Sequence, residues 1–199
     1  MARKLIIVTG YPRAGKSYTA RLIISGFPGL RSLSYDALKE AWWDLEGFDG
    51  EAAKYALNQR CLQAFWKQLG AAMESGGDLL IEYPFCMKHV PALRKLLREH
   101  GYEPITVVLA GDPKILWERF TRRNERSERH PGHVSSTYHK GGPCVPAKPV
   151  AFETYERECR EKNYFIHLGP QLALDRTAFR RQDDEMLMQF LRAHMEPSR

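Results

Sequence analysis

The feature that most constrains the fold is a glycine-rich string over residues 10–17, which reads GYPRAGKS and follows the apolar run LIIV at residues 5–8. Its spacing is that of a phosphate-binding P-loop, which joins a buried strand to a helix. The glycines let backbone N–H groups close around a phosphate chain, and the helix N-terminus adds unpaired donors and a partial positive charge. We therefore predict a strand–loop–helix unit that binds the phosphates of a nucleotide.

Side chains of this string have separate predicted roles in nucleotide binding. Lys16 reaches the β- and γ-phosphates, and the Ser17 hydroxyl is a ligand of Mg²⁺. Arg13, inside the loop, is a further candidate for a phosphate contact. The predicted nucleotide-binding residues are Gly10, Arg13, Ala14, Gly15, Lys16, Ser17, Tyr18 and, further along the chain, Arg119. The expected cofactors are ATP and Mg²⁺.

Strand-like apolar segments alternate with helix-like segments along the chain. Strands are predicted at about residues 4–9, 30–34, 78–82, 104–110, 164–168 and 172–174, and helices at 16–25, 37–45, 51–74, 88–100, 114–126, 150–162 and 181–194. Such alternation is typical of parallel βαβ units with helices on both faces of the sheet. The predicted fold is α/β, a three-layer P-loop NTPase fold with a mainly parallel five-stranded sheet. We expect one domain over residues 1–199, with a mobile lid or insertion at about 119–149.

The length and the apolar runs limit the class of protein. A chain of 199 residues is long enough for one α/β domain. Its apolar runs are strand-length, well below the roughly 18 residues that a membrane span needs. The first of them leads directly into the glycine-rich string, so we interpret it as a strand rather than a signal peptide. We expect a cytoplasmic protein without a membrane partner.

The net charge of +6 is concentrated in one segment. Residues 113–148 contain eight Lys and Arg residues against three Glu residues, an excess of five. A local excess favours the clamping of a small polyanion over the coating of a nucleic-acid duplex. A nucleic-acid partner remains the second alternative.

Signatures of other P-loop proteins are missing from the sequence. The chain has neither the guanine-reading N-K-x-D string of switch GTPases nor an LSGGQ-like string of ABC-type ATPases. The apolar strand at 78–82 ends in a single acid, Glu82, where motor ATPases usually carry two acids. These observations favour a phosphotransferase.

Two carboxylates follow predicted strands, and ligands gather at the carboxyl ends of parallel strands. Asp36 follows the second strand and is the candidate for the base that accepts the proton of an acceptor hydroxyl. An alternative is that Asp36 caps the next helix. Glu82 is a candidate for holding Mg²⁺ through water or for binding the acceptor, although it could simply pair with a neighbouring base.

A run of arginines ends the predicted helix at 114–126. Their spacing places Arg119, Arg122, Arg123 and Arg126 on one helix face. Arginines that close over a nucleotide neutralise charge on its β- and γ-phosphates. We predict a catalytic role for Arg123 and Arg126 in this lid. The alternative is a solvated face paired with Glu118, Glu125 and Glu128.

Residues near the lid are candidates for acceptor binding. His130 and His133 lie in a polar turn that is predicted to contact substrate or phosphate, and Tyr83 belongs to a possible aromatic pocket. Aromatic residues are more often part of the core. A zinc-bound lid is an alternative for the group His130, His133, His139 and Cys144, whose spacings match no standard zinc pattern.

With these motifs in place, the chain resembles the P-loop kinases grouped with zeta toxins, chloramphenicol phosphotransferase and phage-type polynucleotide 5′-kinase, which have an AAA_33-type ATP-binding domain. The resemblance covers most of residues 3–126: the P-loop at 10–17, the YDAL string at 35–38, and Arg123-Asn124 with Arg126. It implies ATP-dependent transfer of phosphate to a hydroxyl, with Asp36 as base and with Lys16 and lid arginines stabilising the transition state. Glu82, where many relatives carry Asp, and the insertion at 127–149 depart from the pattern.

Three functions follow as hypotheses from these features. The leading one is an ATP-dependent kinase that phosphorylates a hydroxyl of a small molecule. The second is a polynucleotide 5′-hydroxyl kinase, for which a basic channel beyond the lid is expected. The third is a nucleotide-binding regulatory protein without acceptor turnover.

Overall fold

The computed structural model describes residues 3–124 and 129–195. In chain order the elements are β1 (Arg3–Gly10), α1 (Lys16–Gly26), β2 (Arg31–Ser34), α2 (Tyr35–Glu46), β3 (Phe48–Asp49), α3 (Gly50–Glu74), β4 (Leu79–Glu82), α4 (Val90–His100), β5 (Tyr102–Ala110), α5 (Pro113–Asn124), β6 (Ser135–Tyr138), β7 (Cys144–Pro146), α6 (Phe152–Lys162), β8 (Gln171–Asp175) and α7 (Arg181–Met195). Short 3₁₀ turns lie at Met87–His89 and Pro131–His133.

Five strands form the main sheet in the order β2-β4-β1-β5-β8, and every pairing within it is parallel. The register aligns the strand ends: Val8 pairs with Glu82, and Glu82 pairs with Ser34. The P-loop, Glu82 and the start of α2 therefore emerge at one edge of the sheet. This confirms the predicted three-layer α/β fold with a five-stranded sheet.

The central strand β1 is buried on both faces, because each face of the sheet is covered by helices. Leu5 and Ile7 belong to one apolar core, with residues of α2, α3 and α4. Ile6 and Val8 belong to the opposite core, with residues of α1, α6 and α7. Burial of such a side chain is worth about 1.5–3 kcal/mol, so the layers hold β1 and the loop that follows it firmly in place.

Two segments differ from the prediction. The loop predicted at 127–149 contains, in its described part, the strands β6 and β7, which form an antiparallel three-stranded sheet with β3. The strand predicted at 164–168 is an extended segment outside both sheets. Its alternate residues Tyr164, Ile166 and Leu168 are buried, which explains why its sequence pattern is that of a strand. No helix among the described residues is long and apolar enough to cross a membrane.

Asp44 of α2 anchors this second sheet. Its carboxylate accepts hydrogen bonds from the Tyr138 hydroxyl at 2.6 Å, from Lys140 Nζ at 2.8 Å and from His130 Nε2 at 3.0 Å. Asp49 makes a more exposed contact, 3.1 Å from His139 Nε2. The segment that follows α5 is thereby fastened to α2, whose first turn carries Asp36.

Replacement of Asp44 by Ala is expected to loosen the second sheet without unfolding the main one. Three hydrogen bonds to a charged group are lost, so amide hydrogen exchange over residues 135–146 should become roughly tenfold faster. Exchange in β1 and β4 should stay unchanged. Asp49→Ala is the matched control, with less than threefold acceleration expected. Equal effects of the two substitutions would contradict the anchoring role of Asp44.

Candidate active site

A cavity of about 920 Å³ opens at the carboxyl edge of the main sheet. Predicted site residues that line it are Arg13, Gly15, Lys16, Ser17, Tyr18, Asp36, Glu82, Tyr83, Arg119, Arg123 and His133. Further lining residues, which the sequence analysis did not assign to the site, include Arg21, Lys39, Glu40, Phe120, Arg129 and Phe179. The structure thus brings most of the predicted residues together around one space.

The P-loop has a conformation that requires glycine at two positions. Gly10 and Gly15 have φ angles of 124° and 89°. A Cβ at Gly10 would lie 1.9 Å from the Leu109 carbonyl oxygen, and one at Gly15 would lie 2.7 Å from the Phe179 ring. Ala14 is fully buried beneath the loop, and Arg13 has a φ of 70°, a conformation that costs energy and is concentrated at functional sites.

The N-terminus of α1 faces the cavity with its backbone donors available. Gly15 is the N-cap residue, and among the described side chains none caps this helix. The first N–H groups of a helix lack partners within the helix and carry partial positive charge. Together with the glycine geometry, this makes the loop a cradle that fits a chain of phosphates.

Lys16 lies inside this cradle. Its ammonium donates to the carbonyl oxygens of Tyr11 at 2.8 Å and of Gly10 at 3.2 Å, and the residue is only 8% exposed. Burial lowers the pKa of Lys16 to about 8, although the charges of Glu82 and Asp36 oppose this shift. The protein therefore keeps a poorly solvated cation at the place where phosphates would bind.

Ser17 and Glu82 face each other across the same end of the cavity. The Ser17 hydroxyl donates to Glu82 Oε1 at 3.2 Å. Burial raises the pKa of Glu82, and the nearby charge of Asp36 adds to this rise. Hydroxyl and carboxylate oxygens are ligands that Mg²⁺ prefers, so this pair fits the ion directly or through water.

Asp36 lies in the first turn of α2 with its carboxylate at the cavity wall. The N-cap of α2 is Ser34, whose side chain accepts from the Ala37 amide at 3.2 Å, so the capping alternative for Asp36 is wrong. Lys39 Nζ lies 2.7 Å from Asp36 Oδ1. Burial alone would raise the pKa of Asp36, but the charge and hydrogen bond of Lys39 hold it below its usual range. Asp36 is thus an ionised carboxylate.

Lys39 is itself held tightly. Its ammonium lies 5.0 Å from the ring centre of Tyr35, 5.3 Å from that of Trp43 and 5.2 Å from that of Tyr83. Cation–π contacts of this kind position a buried ammonium group. Lys39 and the three aromatic rings therefore determine where the carboxylate of Asp36 can lie.

The two histidines of the predicted substrate turn have different positions. His133 lines the cavity, with Nε2 2.7 Å from Glu40 Oε1, and burial lowers its pKa. His130 lies behind the cavity wall, where Nε2 is 3.0 Å from Asp44 Oδ1 and Nδ1 accepts from the Gly132 amide. The substrate contact predicted for His130 is therefore corrected to a structural role in the turn.

The arginines of α5 separate into different environments. Arg119 donates from Nη1 and Nη2 to the carbonyl oxygens of Arg176 and Thr177, each at 2.6 Å. Arg122 pairs with Glu118 at 3.3 Å, as in the solvated-face alternative. Arg123 lines the cavity, and its charge acts on the pKa values of both Lys16 and Glu82. Arg126 lies outside the described residues.

The connection between β8 and α7 forms a further wall that the sequence analysis missed. The Phe179 ring is 5.1 Å from the Arg119 guanidinium and packs edge-on against Tyr18, with ring centres 5.4 Å apart. Arg176, fully buried, pairs with Asp184 at 2.8 Å and fixes this connection to α7. The signal in the sequence that could have revealed this wall is Phe179, an aromatic residue in an otherwise polar connection at the sheet edge.

The zinc alternative finds no support in the part of the chain that the structure describes. Within it no group of three or more His, Cys, Asp and Glu side chains is arranged to hold a metal ion. His130, His133 and His139 each contact a separate carboxylate.

Comparisons with known proteins agree with the fold. A candidate kinase from Chloroflexus aurantiacus superimposes with a TM-score of 0.79 at 25% identity, over 98% of this chain and 100% of that one. Kti12 from Chaetomium thermophilum, in complex with ADP-AlF3, gives a TM-score of 0.62 at 15% identity, over 97% of this chain and 100% of that one. APS kinase CysC from Mycobacterium tuberculosis, in complex with AMPPNP and APS, gives a TM-score of 0.57 at 16% identity, over 96% of this chain and 98% of that one. The last two likenesses show the fold alone.

Sequence comparison gives the family. No curated protein sequence matches the chain. Residues 6–139 match the AAA_18 family, described as an AAA domain. The narrower grouping with zeta toxins and chloramphenicol phosphotransferase stays a prediction. Because the match spans more than half of the chain and includes the P-loop, Asp36 and Glu82, this protein belongs to the AAA_18 family of AAA domains.

Proposed function

We propose that this protein transfers the γ-phosphate of ATP to a hydroxyl group of a small molecule. The observation that carries the proposal is the cavity-facing carboxylate of Asp36, which lies 2.7 Å from the Lys39 ammonium and shares one 920 Å³ space with the P-loop, Lys16 and Ser17. A nucleotide switch needs no base beside the phosphates, whereas a kinase needs one to orient its acceptor. The likeness to a candidate kinase over nearly the whole chain supports the same reaction.

Each group has a role in this reaction. The carboxylate of Asp36 accepts the proton of the acceptor hydroxyl while that oxygen bonds to the γ-phosphorus. The bond from the γ-phosphorus to the bridging oxygen breaks, and ADP leaves. Lys16 and Arg123 lie where they stabilise charge that develops on the phosphate oxygens. Ser17 and Glu82 would hold Mg²⁺, directly or through water, and the ion would supply further neutralisation of the phosphate charge.

We also propose how the domain is organised and where the purine of ATP binds. We treat residues 1–199 as one kinase domain in which α5, together with Arg129 and His133, forms the lid side of the cavity. Phe179 and Arg119 offer a flat, cationic wall against which the purine of ATP can stack. A cytoplasmic location, where ATP is abundant, is part of the same proposal.

An acceptor screen tests the function. ADP release from ATP is followed with sugars, sugar acids, amino alcohols, aminoglycosides and 5′-hydroxyl oligonucleotides, each against a no-acceptor blank. Acceptor-dependent ADP release with a small molecule supports the proposal. Release only with oligonucleotides would support the polynucleotide kinase alternative, and ATP binding without any acceptor dependence would support the regulatory alternative.

Nucleotide affinity is expected to fall above about pH 8. Lys16 has a pKa of about 8 in the nucleotide-free protein, and only its protonated form attracts phosphate. Bound nucleotide raises that pKa, so the affinity for Mg·AMPPNP should decrease by up to tenfold per pH unit as pH rises above 8. Calorimetric titrations at pH 7, 8, 9 and 9.5 check this. Affinity that stays constant to pH 9.5 would contradict the role of Lys16.

A further inference from the structure

The charge of the cavity exceeds what MgATP can neutralise. Among the described residues its lining contains eight Lys and Arg side chains and three carboxylates, an excess of five positive charges. MgATP carries a net charge of about −2, since the four negative charges of ATP are offset in part by the ion. About three positive charges therefore remain when the nucleotide is bound. Unneutralised cations in a partly buried site favour a second anionic ligand.

Three of these eight cations already have partners. Lys39 pairs with Asp36 at 2.7 Å, and Arg122 pairs with Glu118 at 3.3 Å. Arg119 is engaged by two backbone carbonyls at 2.6 Å. Lys16 and Arg123 belong to the phosphate end of the cavity, where the charge of Arg123 helps to lower the pKa of Lys16. Arg13 lies within the P-loop itself, and Arg21 is exposed on α1.

Arg129 is the remaining cation of the lining. Among the described residues it makes no ion pair; its Nη1 donates to the amide oxygen of Asn124, and its Nε is buried without a hydrogen-bond partner. Burial lowers the pKa of Arg129 to about 10. A half-buried guanidinium that has no carboxylate partner among the described residues is costly to the fold, and an anion that joins it offsets this cost.

Arg129 lies at the acceptor end of the cavity. Arg129 and His133 both line the cavity, and Nε2 of His133 lies 2.7 Å from Oε1 of Glu40, one turn of α2 after Asp36. The charges of Asp36 and Arg129 both act on the pKa of His133. The guanidinium of Arg129 is thus on the side of the proposed base rather than on that of the P-loop. An arginine binds carboxylate and phosphate groups with two parallel hydrogen bonds.

We infer that the acceptor is an anionic alcohol, a hydroxyl compound that also carries a carboxylate or phosphate group, and that Arg129 binds this group. The inference rests on the proposed function, since it names the substrate class of the same site. The hydroxyl faces Asp36 and the anionic group faces Arg129. A neutral alcohol leaves the guanidinium without a partner and is therefore selected against.

Equilibrium binding tests this inference without turnover. Wild-type protein saturated with Mg·AMPPNP is titrated at low salt with inorganic phosphate and with two matched pairs: glycerol 3-phosphate against glycerol, and gluconate against glucose. Because AMPPNP occupies the P-loop, anion binding reports on the second end of the cavity. We expect each anionic compound to bind at least tenfold more tightly than its neutral counterpart.

Substitutions assign that preference to one side chain. Arg129→Gln should weaken binding of the anionic compounds about 10- to 100-fold and leave the affinity for Mg·AMPPNP within threefold, whereas Arg129→Lys should retain part of the preference. Arg98→Gln, on the exposed side of α4, is the matched control and should change neither affinity.

Three results would overturn the inference: no measurable anion binding to the AMPPNP-loaded wild type, equal binding of anionic and neutral partners, or an unchanged preference in Arg129→Gln. Its failure can be told apart from that of the proposed function. ADP release with neutral alcohols alone would remove this inference and leave the kinase standing. Arg129-dependent anion binding without any acceptor-dependent ADP release would remove the kinase and leave only an anion site at Arg129.

Discussion

Asp36→Asn is expected to reduce acceptor-dependent turnover by about 10²–10⁴-fold while the dissociation constant for Mg·AMPPNP changes less than threefold. The amide keeps the size of the carboxylate but cannot accept the hydroxyl proton. The measurement is kcat for ADP release with a saturating acceptor, beside calorimetric titration of the nucleotide. A loss confined to kcat identifies the proton acceptor, because uniform weakening of binding would appear in KM instead.

Two controls accompany this substitution. Glu46→Gln alters a carboxylate at the other end of α2, where it pairs with Arg60 on the surface, and should leave kcat unchanged. Thermal unfolding of Asp36→Asn shows whether Lys39, left without its partner, has disturbed the fold. Full turnover by folded Asp36→Asn would remove Asp36 from the chemistry.

Lys16→Met is expected to reduce kcat/KM by about 10²–10³-fold and to weaken Mg·AMPPNP binding, because the cation that stabilises the phosphates is removed. The same substitution should stabilise the nucleotide-free protein. The pKa of Lys16 falls from 10.5 to about 8 on folding, so below pH 8 the folded state bears a charge-burial penalty of up to about 3 kcal/mol. Methionine has a similar shape and carries no such penalty.

The pH dependence separates this stabilisation from general packing effects. The unfolded chain binds the proton of Lys16 more tightly than the folded one, so wild-type stability should rise with pH between about 8 and 10.5. Lys16→Met should lack that rise. Urea unfolding at pH 7 and pH 9.5 provides the test, with the exposed Lys67→Met as the matched control. A lower unfolding midpoint for Lys16→Met at pH 7 would contradict the penalty.

The nucleotide end of the site was predictable because its determinants are local in sequence. The P-loop string specifies its own glycine turn. The β1 run that precedes it is buried on both faces and is therefore continuously apolar, so the strand could be predicted from the sequence without knowledge of tertiary contacts. Asp36 and Glu82 follow strands whose carboxyl ends must meet at one edge of a parallel sheet. The register of Val8, Glu82 and Ser34 confirms that meeting.

The second sheet could not be predicted for a physical reason. β3 has two residues and β7 three, too few for a hydrophobic period to show, and β3 pairs with β6 almost ninety positions later. Contacts from side chains to Asp44 hold this sheet together, and a spacing pattern does not reveal them. Segment 164–168 is the opposite case: its sequence has the pattern of a strand because alternate residues are buried, but the segment pairs with no strand of either sheet.

The acceptor end was only partly predictable. Lys39 and Glu40 stand three and four positions after Asp36 on a helix, so their shared face could have been inferred. Arg129 appeared in the sequence only as one of many arginines, because its position in the cavity lining is a property of tertiary packing. Phe179 reaches the P-loop from a connection more than 160 residues away in the chain.

The most direct test of the central claim follows the γ-phosphate itself. The protein is incubated with [γ-³²P]ATP, Mg²⁺ and a pool of anionic alcohols, and the labelled products are separated by chromatography. We predict that label moves into an organic phosphate ester with wild-type protein and not with Asp36→Asn. Label that stays in ATP, or that appears only as inorganic phosphate at the same rate in both proteins, would contradict transfer to an acceptor hydroxyl.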